Sequence, residues 1–139
     1  MDKLTPEPYL IKRYLQHALF TSWSDTPENR SEADPAPLAD RFTPEDIDPE
    51  SREVMAAEVL NFYRENWNIL SDPGKPYALA EAFWDVRNDL QRSFVPYAHC
   101  WRREGVSSLL TVRAQMAGPR RLVVGDDGRV YQVAPESEG

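Results

Sequence analysis

Four proline-containing triplets in the first half of the chain constrain where helices can begin. They read Thr5-Pro6-Glu7, Thr26-Pro27-Glu28, Thr43-Pro44-Glu45 and Asp48-Pro49-Glu50. In each triplet the Thr or Asp side chain can accept hydrogen bonds from free N–H groups, and proline has no N–H of its own to leave unpaired. The glutamate then meets the positive end of the helix dipole. Each triplet is therefore a candidate helix start.

Apolar residues at three- and four-residue steps predict helices over residues 6–20 and 49–70. The stripe of the first helix consists of Leu10, Tyr14, Leu15, Ala18 and Leu19. The stripe of the second consists of Met55, Val59, Phe62, Tyr63, Trp67 and Leu70. Both stripes are one-sided, as in helices that pack against a core, so we interpret them as core and not as ligand sites.

The chain between these two helices is polar and contains several prolines. Residues 21–42 include Pro27, Pro35 and Pro37, so we interpret them as an extended or partly disordered connection. A short turn is expected over residues 43–47, immediately before the cap of the second helix.

Two further helices are predicted in the second half. The first covers residues 77–94, after the breaker segment 71–76 and before Pro96. Its in-phase apolar residues are Leu79, Phe83, Val86, Leu90 and Phe94. The second starts at Ser107, which is a suitable cap, and continues through Met116 until Gly118-Pro119 ends it.

The C-terminal residues predict a β-hairpin. Two apolar segments, 122–124 and 130–133, flank Gly125-Asp126-Asp127-Gly128, and an Asp-Gly pair tolerates the positive φ of a tight turn. An isolated hairpin is only marginally stable, so this one should pack on the helices. The predicted fold class is therefore α+β, mainly helical, with about four helices and the hairpin in one domain over residues 1–134. Residues 135–139 are expected to form a loose tail.

The charges of the chain are divided between its two halves. Residues 25–58 hold eleven carboxylates against three arginines, whereas residues 87–129 hold eight arginines against four carboxylates. Such a division affects which partners approach and how fast, and not the fold. The arginines could bind phosphates, bind the acidic half or form a solvated surface. The acidic stretch could be a docking surface, or a solvated linker with helix-capping carboxylates such as Glu45, Asp48 and Glu50.

Composition excludes several classes of protein. A formal net charge of −7 and a pI near 4.8 argue against a general binder of nucleic acid or of a membrane surface. A lone cysteine, Cys100, leaves no intrachain disulfide, which fits a reducing cytosol. No apolar run approaches the roughly 18 residues of a membrane-spanning helix, and residues 1–8 do not resemble a secretory signal. A cytoplasmic location is expected.

Residues that could support catalysis or bind a metal do not form a recognisable set. His99-Cys100 are adjacent, but neighbouring side chains usually point apart, and no third group to orient them is evident. Asp126-Asp127-Gly128 lacks the alternating ligands of a calcium loop. Glu81 and Asp85 have helical spacing, but nothing in the sequence marks them as buried. We therefore expect no catalytic, cofactor-binding or metal-binding residue, no cofactor, and no enzymatic activity.

Five short motifs, in order, resemble a small family of uncharacterised proteins from bacteriophages and prophages. The matching residues are Ala18-Leu19-Phe20-Thr21-Ser22, Leu38 with Phe42, Asp46-Ile47-Asp48-Pro49-Glu50, Phe83-Trp84 with Arg87-Asn88, and Val124-Gly125-Asp126-Asp127-Gly128-Arg129-Val130-Tyr131. In the family, G-H-G follows the F-W-x-x-R-N motif, whereas residues 89–91 of this chain are Asp-Leu-Gln. This chain also has Glu81-Ala82 where the family has His-Asp. Because the family carries no assigned activity, the resemblance implies a phage or mobile-element origin more than a mechanism.

These observations lead to an expected function in protein binding. The chain is expected to be a small accessory protein that binds a host or phage protein through a basic groove on that partner, for example to inhibit a nucleic-acid-handling or defence complex. The candidate partner-binding residues are Trp23, Asp25, Glu28, Glu32, Asp34, Asp40, Glu45, Asp46 and Trp101. The alternative is a structural or assembly component that forms homo-oligomers or joins the virion, in which Trp23 and Trp101 matter more than charge.

Overall fold

Helices and a C-terminal hairpin make up the described part of the chain. The structure, a computed structural model, describes residues 7–22, 37–66, 76–90 and 106–134. The helices are α1 (Glu7–Thr21), α2 (Pro49–Glu65), α3 (Pro76–Arg87) and α4 (Val106–Ala117), and the strands are β1 (Arg121–Val124) and β2 (Val130–Val133). Two 3₁₀ helices, Leu38–Asp40 and Pro44–Asp46, lie between α1 and α2. The predicted class, α+β and mainly helical, is confirmed.

Helix α1 lies at the centre of the packing, in contact with α2, α3 and both 3₁₀ helices. All five residues of its predicted stripe are buried. The ring of Phe83 on α3 stacks on Tyr14 of α1 and on Phe62 of α2, with centroid separations of 5.6 and 4.3 Å. Such offset aromatic pairs add stability beyond the area that they bury. The three helices therefore share one aromatic core.

Helix α2 begins as predicted and ends earlier than predicted. Asp48 Oδ2 accepts hydrogen bonds from the N–H groups of Glu50 and Ser51, at 3.1 and 3.2 Å, and Pro49 is the first helical residue. The stripe residues Met55, Val59, Phe62 and Tyr63 are buried, which confirms the predicted face. Residues 67–70, with Trp67 and Leu70, lie outside the described residues.

The prediction that α3 continues to residue 94 is wrong. The helix ends at Arg87 because Asp89 has a φ of 61°, the left-handed conformation that closes many helices. The N–H of Leu90 donates to Asp85 O at 2.8 Å and that of Asp89 donates to Val86 O at 3.2 Å, which is the Schellman pattern. Leu90 is consequently 54% exposed and does not belong to the core stripe.

The hairpin forms where predicted, with a turn one residue longer than an Asp-Gly turn. Val124 pairs with Val130, Gly125 N donates to Arg129 O, and Gly128 N donates to Gly125 O. Gly128 alone in this turn has a positive φ, of 82°, as in a type I turn followed by a glycine bulge. A Cβ on Gly125 would lie 2.7 Å from the ring of Tyr131, so any larger residue there would force that ring to move.

The hairpin packs on the start of α2. Ile47 forms a parallel bridge with Val130, and Asp48 N donates to Val130 O at 2.7 Å. Farther along β2, the N–H of Gln132 donates to Ser51 Oγ at 3.1 Å. These bonds join residues more than eighty positions apart, and they supply the packing that a lone hairpin needs.

The connection between α1 and α2 is more ordered at both ends than the sequence indicates. Thr21 is still in α1, and Leu38–Asp40 form a 3₁₀ helix instead of extended chain. Leu38 is buried, and its N–H donates to Ser22 O at 2.7 Å. One buried leucine after two prolines is a weak sequence signal, but its burial fixes residues 37–42 against α1.

Candidate functional site

A groove of about 560 Å³ runs between α1, the two 3₁₀ helices and α3. Its apolar lining comes from Leu19, Phe20 and Phe42. Leu19 is buried and Phe42 packs partly against the core, whereas Phe20 is 61% exposed. A large aromatic ring exposed at the edge of a groove is a typical anchor point for a ligand or a protein segment.

The polar lining of this groove includes Arg13, His17 and Glu81, which take part in two contacts between α1 and α3. Arg13 Nη1 lies 3.3 Å from Glu81 Oε2, and His17 Nε2 donates to Asp85 Oδ1 at 2.8 Å. Asp85 is buried, which the sequence did not reveal. The two carboxylates of α3 are therefore paired, so they add little free negative charge to the groove.

A histidine bonded to a carboxylate can act as a general base, but no nucleophile contacts its ring among the residues that the structure describes. Thr21 Oγ1 accepts a hydrogen bond from Trp84 Nε1 at 2.8 Å and donates to the His17 carbonyl, not to its ring. Within the described residues no hydroxyl or thiol group bonds to the imidazole. Nucleophilic catalysis needs that contact. The pair is therefore a link between α1 and α3.

The acidic rim of the groove lies on residues 40–46. Asp40 and Glu45 are exposed, and each adjoins a residue that lines the groove, Ala39 or Pro44. Neither carboxylate forms an ion pair with any residue that the structure describes. Their charge is therefore available to a partner.

Asp46, the third acidic residue of this turn, has a structural role. Its Oδ2 accepts the hydrogen bond of Thr43 N at 2.8 Å, which satisfies a free donor at the start of the 3₁₀ helix. The sequence assigned the capping role to Glu45, but Glu45 only accepts a bond from Thr43 Oγ1, at 3.1 Å on the surface. Asp46 is therefore the carboxylate that bonds back to the N-cap residue Thr43, and Glu45 is the freer carboxylate.

A second groove, of about 550 Å³, adjoins the first along Gln16, Thr43 and Pro44. Glu45 lies in it together with the basic residues Lys12 and Arg52. Glu45 therefore has basic neighbours on the side that faces away from the first groove.

The nine candidate partner-binding residues are only partly described. The structure places Asp40 at the end of the first 3₁₀ helix and Glu45 and Asp46 in the second, next to residues that line the groove. The other six, Trp23, Asp25, Glu28, Glu32, Asp34 and Trp101, lie outside the described residues. The described part of the candidate surface is thus a groove with a short acidic rim, and the groove itself was not foreseen from the sequence.

A second polar cluster, also not foreseen, surrounds Arg87 in the interior. Its Nη1 donates to Glu58 Oε1 and to the Tyr14 hydroxyl, both at 3.0 Å, and its Nη2 lies 3.5 Å from Glu58 Oε2. Nε donates to Gly118 O at 2.7 Å, and Nη2 donates to Ala117 O at 3.2 Å. An arginine has five N–H donors. Because all five have acceptors, this guanidinium has none left for a ligand.

The pKa values of Tyr14 and Arg87 are both raised above their ordinary values, so both groups keep their protons. Burial raises the pKa of the Tyr14 phenol, and the nearby Arg87 guanidinium only partly offsets that rise. Burial lowers the pKa of Arg87, but Tyr14 and Glu58 together outweigh it, so the net shift is upward. Tyr14 is therefore a neutral phenol and Arg87 a cation at physiological pH.

The arginine-rich half of the chain meets the acidic half at Glu58. Arg120 Nε lies 3.6 Å from Glu58 Oε2, on the same carboxylate that accepts from Arg87. Gln132 Nε2 also donates to Glu58 Oε1, at 3.1 Å. Two of the eight arginines thus contact this one carboxylate, which leaves less basic surface than the sequence suggests.

In the described ranges no group of three or more His, Cys, Asp or Glu side chains could hold a metal ion. The Asp127 carboxylate of the hairpin turn accepts from the Tyr131 hydroxyl and from Arg129 N, so it serves the turn. None of the helices in these ranges has the length and apolar character that a membrane crossing requires.

Comparisons with known proteins returned no family model, no curated protein and no solved structure that matches the chain. Function is therefore inferred from the groove, from its acidic rim and from the charges that do not pair within the fold.

Proposed function

We propose that this chain is a small acidic accessory protein of bacteriophage or mobile-element type that acts by binding another protein in the bacterial cytoplasm. The groove between α1 and the 3₁₀ helices receives an extended, basic segment of that partner. One observation carries the proposal: the exposed carboxylates of Asp40 and Glu45 adjoin a groove whose lining includes an exposed phenylalanine, Phe20. Binding alone, without catalysis, is the proposed activity.

The apolar part of the groove supplies the anchor. Phe20 lies in the last turn of α1 with most of its ring in contact with water, next to Phe42 and Leu19. Covering such a ring with an apolar side chain of the partner removes water from both. Aromatic anchors of this kind often carry much of the binding free energy of an interface.

The acidic rim supplies the attraction at longer range. Glu81 is paired with Arg13 and Asp85 with His17, so the free negative charge of the groove region lies on Asp40 and Glu45. Charges on the rim of an interface mainly accelerate association and select partners of opposite charge. A basic surface of the kind that handles nucleic acid is the complementary partner. Inhibition of such a host or defence protein is the proposed outcome.

The proposed phage origin is supported by what the resembling residues do in the fold. The family's R-N-G motif has glycine at position 89, where this chain places Asp89 at a φ of 61°, a conformation that favours glycine. Trp84 of the F-W motif donates to Thr21 of the A-L-F-T-S segment at 2.8 Å. These motif residues have structural roles, whereas Asp40 and Glu45 occupy positions between Leu38 and Glu50 that the motif leaves unspecified.

The proposal is tested with the full chain as bait in a bacterial lysate and with a defined probe. The probe is a peptide in which several arginines flank one leucine, and its affinity is measured by fluorescence anisotropy at increasing salt. We expect binding that weakens steeply with salt, because screening removes the attraction of exposed charges. Replacing Asp40→Lys and Glu45→Lys together should weaken it roughly tenfold or more.

The matched control is Glu65→Lys, which changes the same charge at an exposed position at the far end of α2. It should leave affinity for the peptide and for the captured protein nearly unchanged. Thermal unfolding of every variant checks that the fold is retained. Binding that does not respond to salt, or that survives the double reversal, would eliminate the acidic groove as the docking site.

The alternative function, a structural or assembly component, is favoured by one observation. Helix α4 exposes three large apolar side chains, Leu109, Val112 and Met116.

A further inference from the structure

Helix α4 is apolar on two sides. Its inner side places Leu110 and Ala114 in the core, and α4 packs mainly on α3. Its outer side exposes Leu109, Val112 and Met116 by 38, 52 and 79%. The three are spaced by three and four residues, so they form one stripe along the helix. A helix with a second apolar stripe has a face that the described part of the fold does not cover.

The outer stripe carries no charge. The exposed residues beside it, Ser108 and Gln115, are polar but neutral, and the only charged residue of α4 is Arg113. Arg113 is half-buried, and its Nη1 donates to Asn66 Oδ1. The exposed face of α4 is therefore neutral in a chain whose formal net charge is −7.

This neutrality bears on the identity of the partner. Two copies of an acidic chain repel each other wherever their carboxylates meet. A contact through the stripe of α4 avoids that repulsion, whereas a contact through the rim at Asp40 and Glu45 does not. A strongly basic partner, in turn, gains nothing from a neutral stripe. A second copy of this chain fits the stripe better than the basic partner proposed for the groove.

A groove adjoins the stripe. It has a volume of about 490 Å³ and lies between α2, α3 and α4, and its lining includes Phe62, Phe83 and Met116. Met116 therefore stands at the boundary between the stripe and the groove. The charged residues that line the groove, Glu58, Glu65, Arg87 and Arg113, are two carboxylates and two guanidinium groups, so their formal charges balance. A ridge beside a groove on one face is self-complementary under a two-fold axis, because each ridge can enter the groove of the other copy.

We propose that two copies of this chain associate through the outer face of α4, with their α4 helices antiparallel about a two-fold axis near Val112. This axis places Leu109 of one copy opposite Met116 of the second, since both lie at similar distances from the centre of the stripe. The interaction is independent of the groove at Asp40 and Glu45, so it does not rest on the function proposed there.

The size of the surface sets the expected strength. Helix α4 has 12 residues and is about 18 Å long. One short helix supplies less than the roughly 800 Å² per partner of a standard interface, so the adjoining groove must contribute as well. We therefore expect a reversible dimer with an affinity in the micromolar range.

Sedimentation equilibrium of the full chain, over a wide range of concentrations, measures this association. We expect a monomer–dimer equilibrium that Val112→Glu and Met116→Glu each weaken by roughly tenfold or more, because each buries a carboxylate at the contact. Both positions are exposed in the monomer, so the fold should tolerate the change. The matched control is Gln115→Glu, which adds the same charge to the same helix on the flank away from the groove, and it should change the affinity by less than about threefold.

The salt dependence separates this dimer from the binding proposed at the acidic rim. Screening of the net charge should leave the dimer unchanged or tighten it, whereas it weakens contacts between opposite charges. A monomer at every concentration overturns the proposal. So does a dimer that persists in both Val112→Glu and Met116→Glu, since the contact would then lie elsewhere. Loss of peptide binding in the Asp40 and Glu45 variants, with the dimer intact, supports both proposals separately.

Discussion

Glu45 and Glu58 belong to the same acidic stretch of the sequence but differ in what their charges do. Glu45 lies exposed on the rim of the groove and has no ion pair in the described part of the chain. Glu58 accepts hydrogen bonds from Arg87 and Gln132 and lies near Arg120. The Glu45 carboxylate remains available to a partner, whereas the Glu58 carboxylate pairs with a buried arginine. A charged stretch of sequence therefore identifies a binding surface only after the charges that pair within the fold have been subtracted.

The interior cluster also differs from the rim in its energetic consequences. The side chain of Arg87 is 1% exposed, and each of its donors replaces a lost hydrogen bond to water. A buried pair of this kind adds little net stability over apolar residues, but removing one partner leaves the other buried and unpaired. The rim residues have water on one side, so their substitution should barely affect folding.

The largest expected effect is that of Arg87→Met. The change leaves the Glu58 carboxylate, the Tyr14 hydroxyl and two carbonyl groups without their donor, and we expect a loss of about 3–5 kcal/mol in the free energy of unfolding. Urea unfolding followed by circular dichroism measures it. The matched variant in the exposed region is Arg41→Met, which should stay within about 0.5 kcal/mol of the parent.

Equal losses for these two variants would show that Arg87 is no more important to the fold than a surface arginine. If Arg87→Met does not fold, Glu58→Gln gives the same comparison in milder form. It keeps the shape of the side chain and removes the charge, so its loss should fall between those of the two arginine variants.

A smaller effect is expected for Tyr14→Phe, which removes the hydroxyl that accepts from Arg87 and keeps the ring. We expect a loss of about 1–2 kcal/mol near pH 8. Burial raises the pKa of Tyr14 in the folded protein, whereas in the unfolded chain the phenol ionises at about pH 10. The unfolded state therefore releases its proton first, and the stability from this group falls as the pH rises above about 10.

Urea unfolding of the parent and of Tyr14→Phe, at neutral and at alkaline pH, tests this sign. The difference in stability between the two proteins should shrink above about pH 10, because only the parent can lose stability through this phenol. A difference that grows with pH would mean that ionised Tyr14 is stabilised in the fold, contrary to its burial.

The smallest expected effect is a gain at the end of α3, the turn that places Arg87. Asp89→Gly removes a Cβ from a residue with a φ of 61°, and we expect a gain of about 0.5 kcal/mol in the free energy of unfolding. Asp89→Ala keeps the Cβ without the polar side chain that tolerates this conformation, so it should lose stability. Shifts of the same sign in both variants would show that backbone conformation does not decide the effect.

Local patterns predicted much of this fold. The stripe of α1, the Asp48 cap and the hairpin each depend on residues a few positions apart, and all three are present. The end of α3 was missed because the left-handed position is occupied by Asp89, where glycine is the usual signal. Apolar residues recur at helical spacing as far as Phe94, so the pattern predicted helix across that turn.

The candidate site was predicted in part, and its limits have a physical reason. Asp40 and Glu45 were expected to bind a partner, since exposure of short acidic residues in a turn is the common case. The groove beside them was not expected, because it forms only when α1, α3 and residues 37–46 pack together. The bond between His17 and Asp85 joins residues 68 positions apart, and no local pattern reports such a pairing.

The attachment of the hairpin to the start of α2 has a consequence for synthesis on the ribosome. Two of the acceptors of Arg87 are the carbonyls of Ala117 and Gly118, and Glu58 has a further partner in Gln132. While only the first hundred or so residues have been made, these partners do not yet exist. Large parts of the core can collapse earlier, but Arg87 gains its last two acceptors only after residues 117 and 118 have left the exit tunnel, and Glu58 gains Gln132 later still.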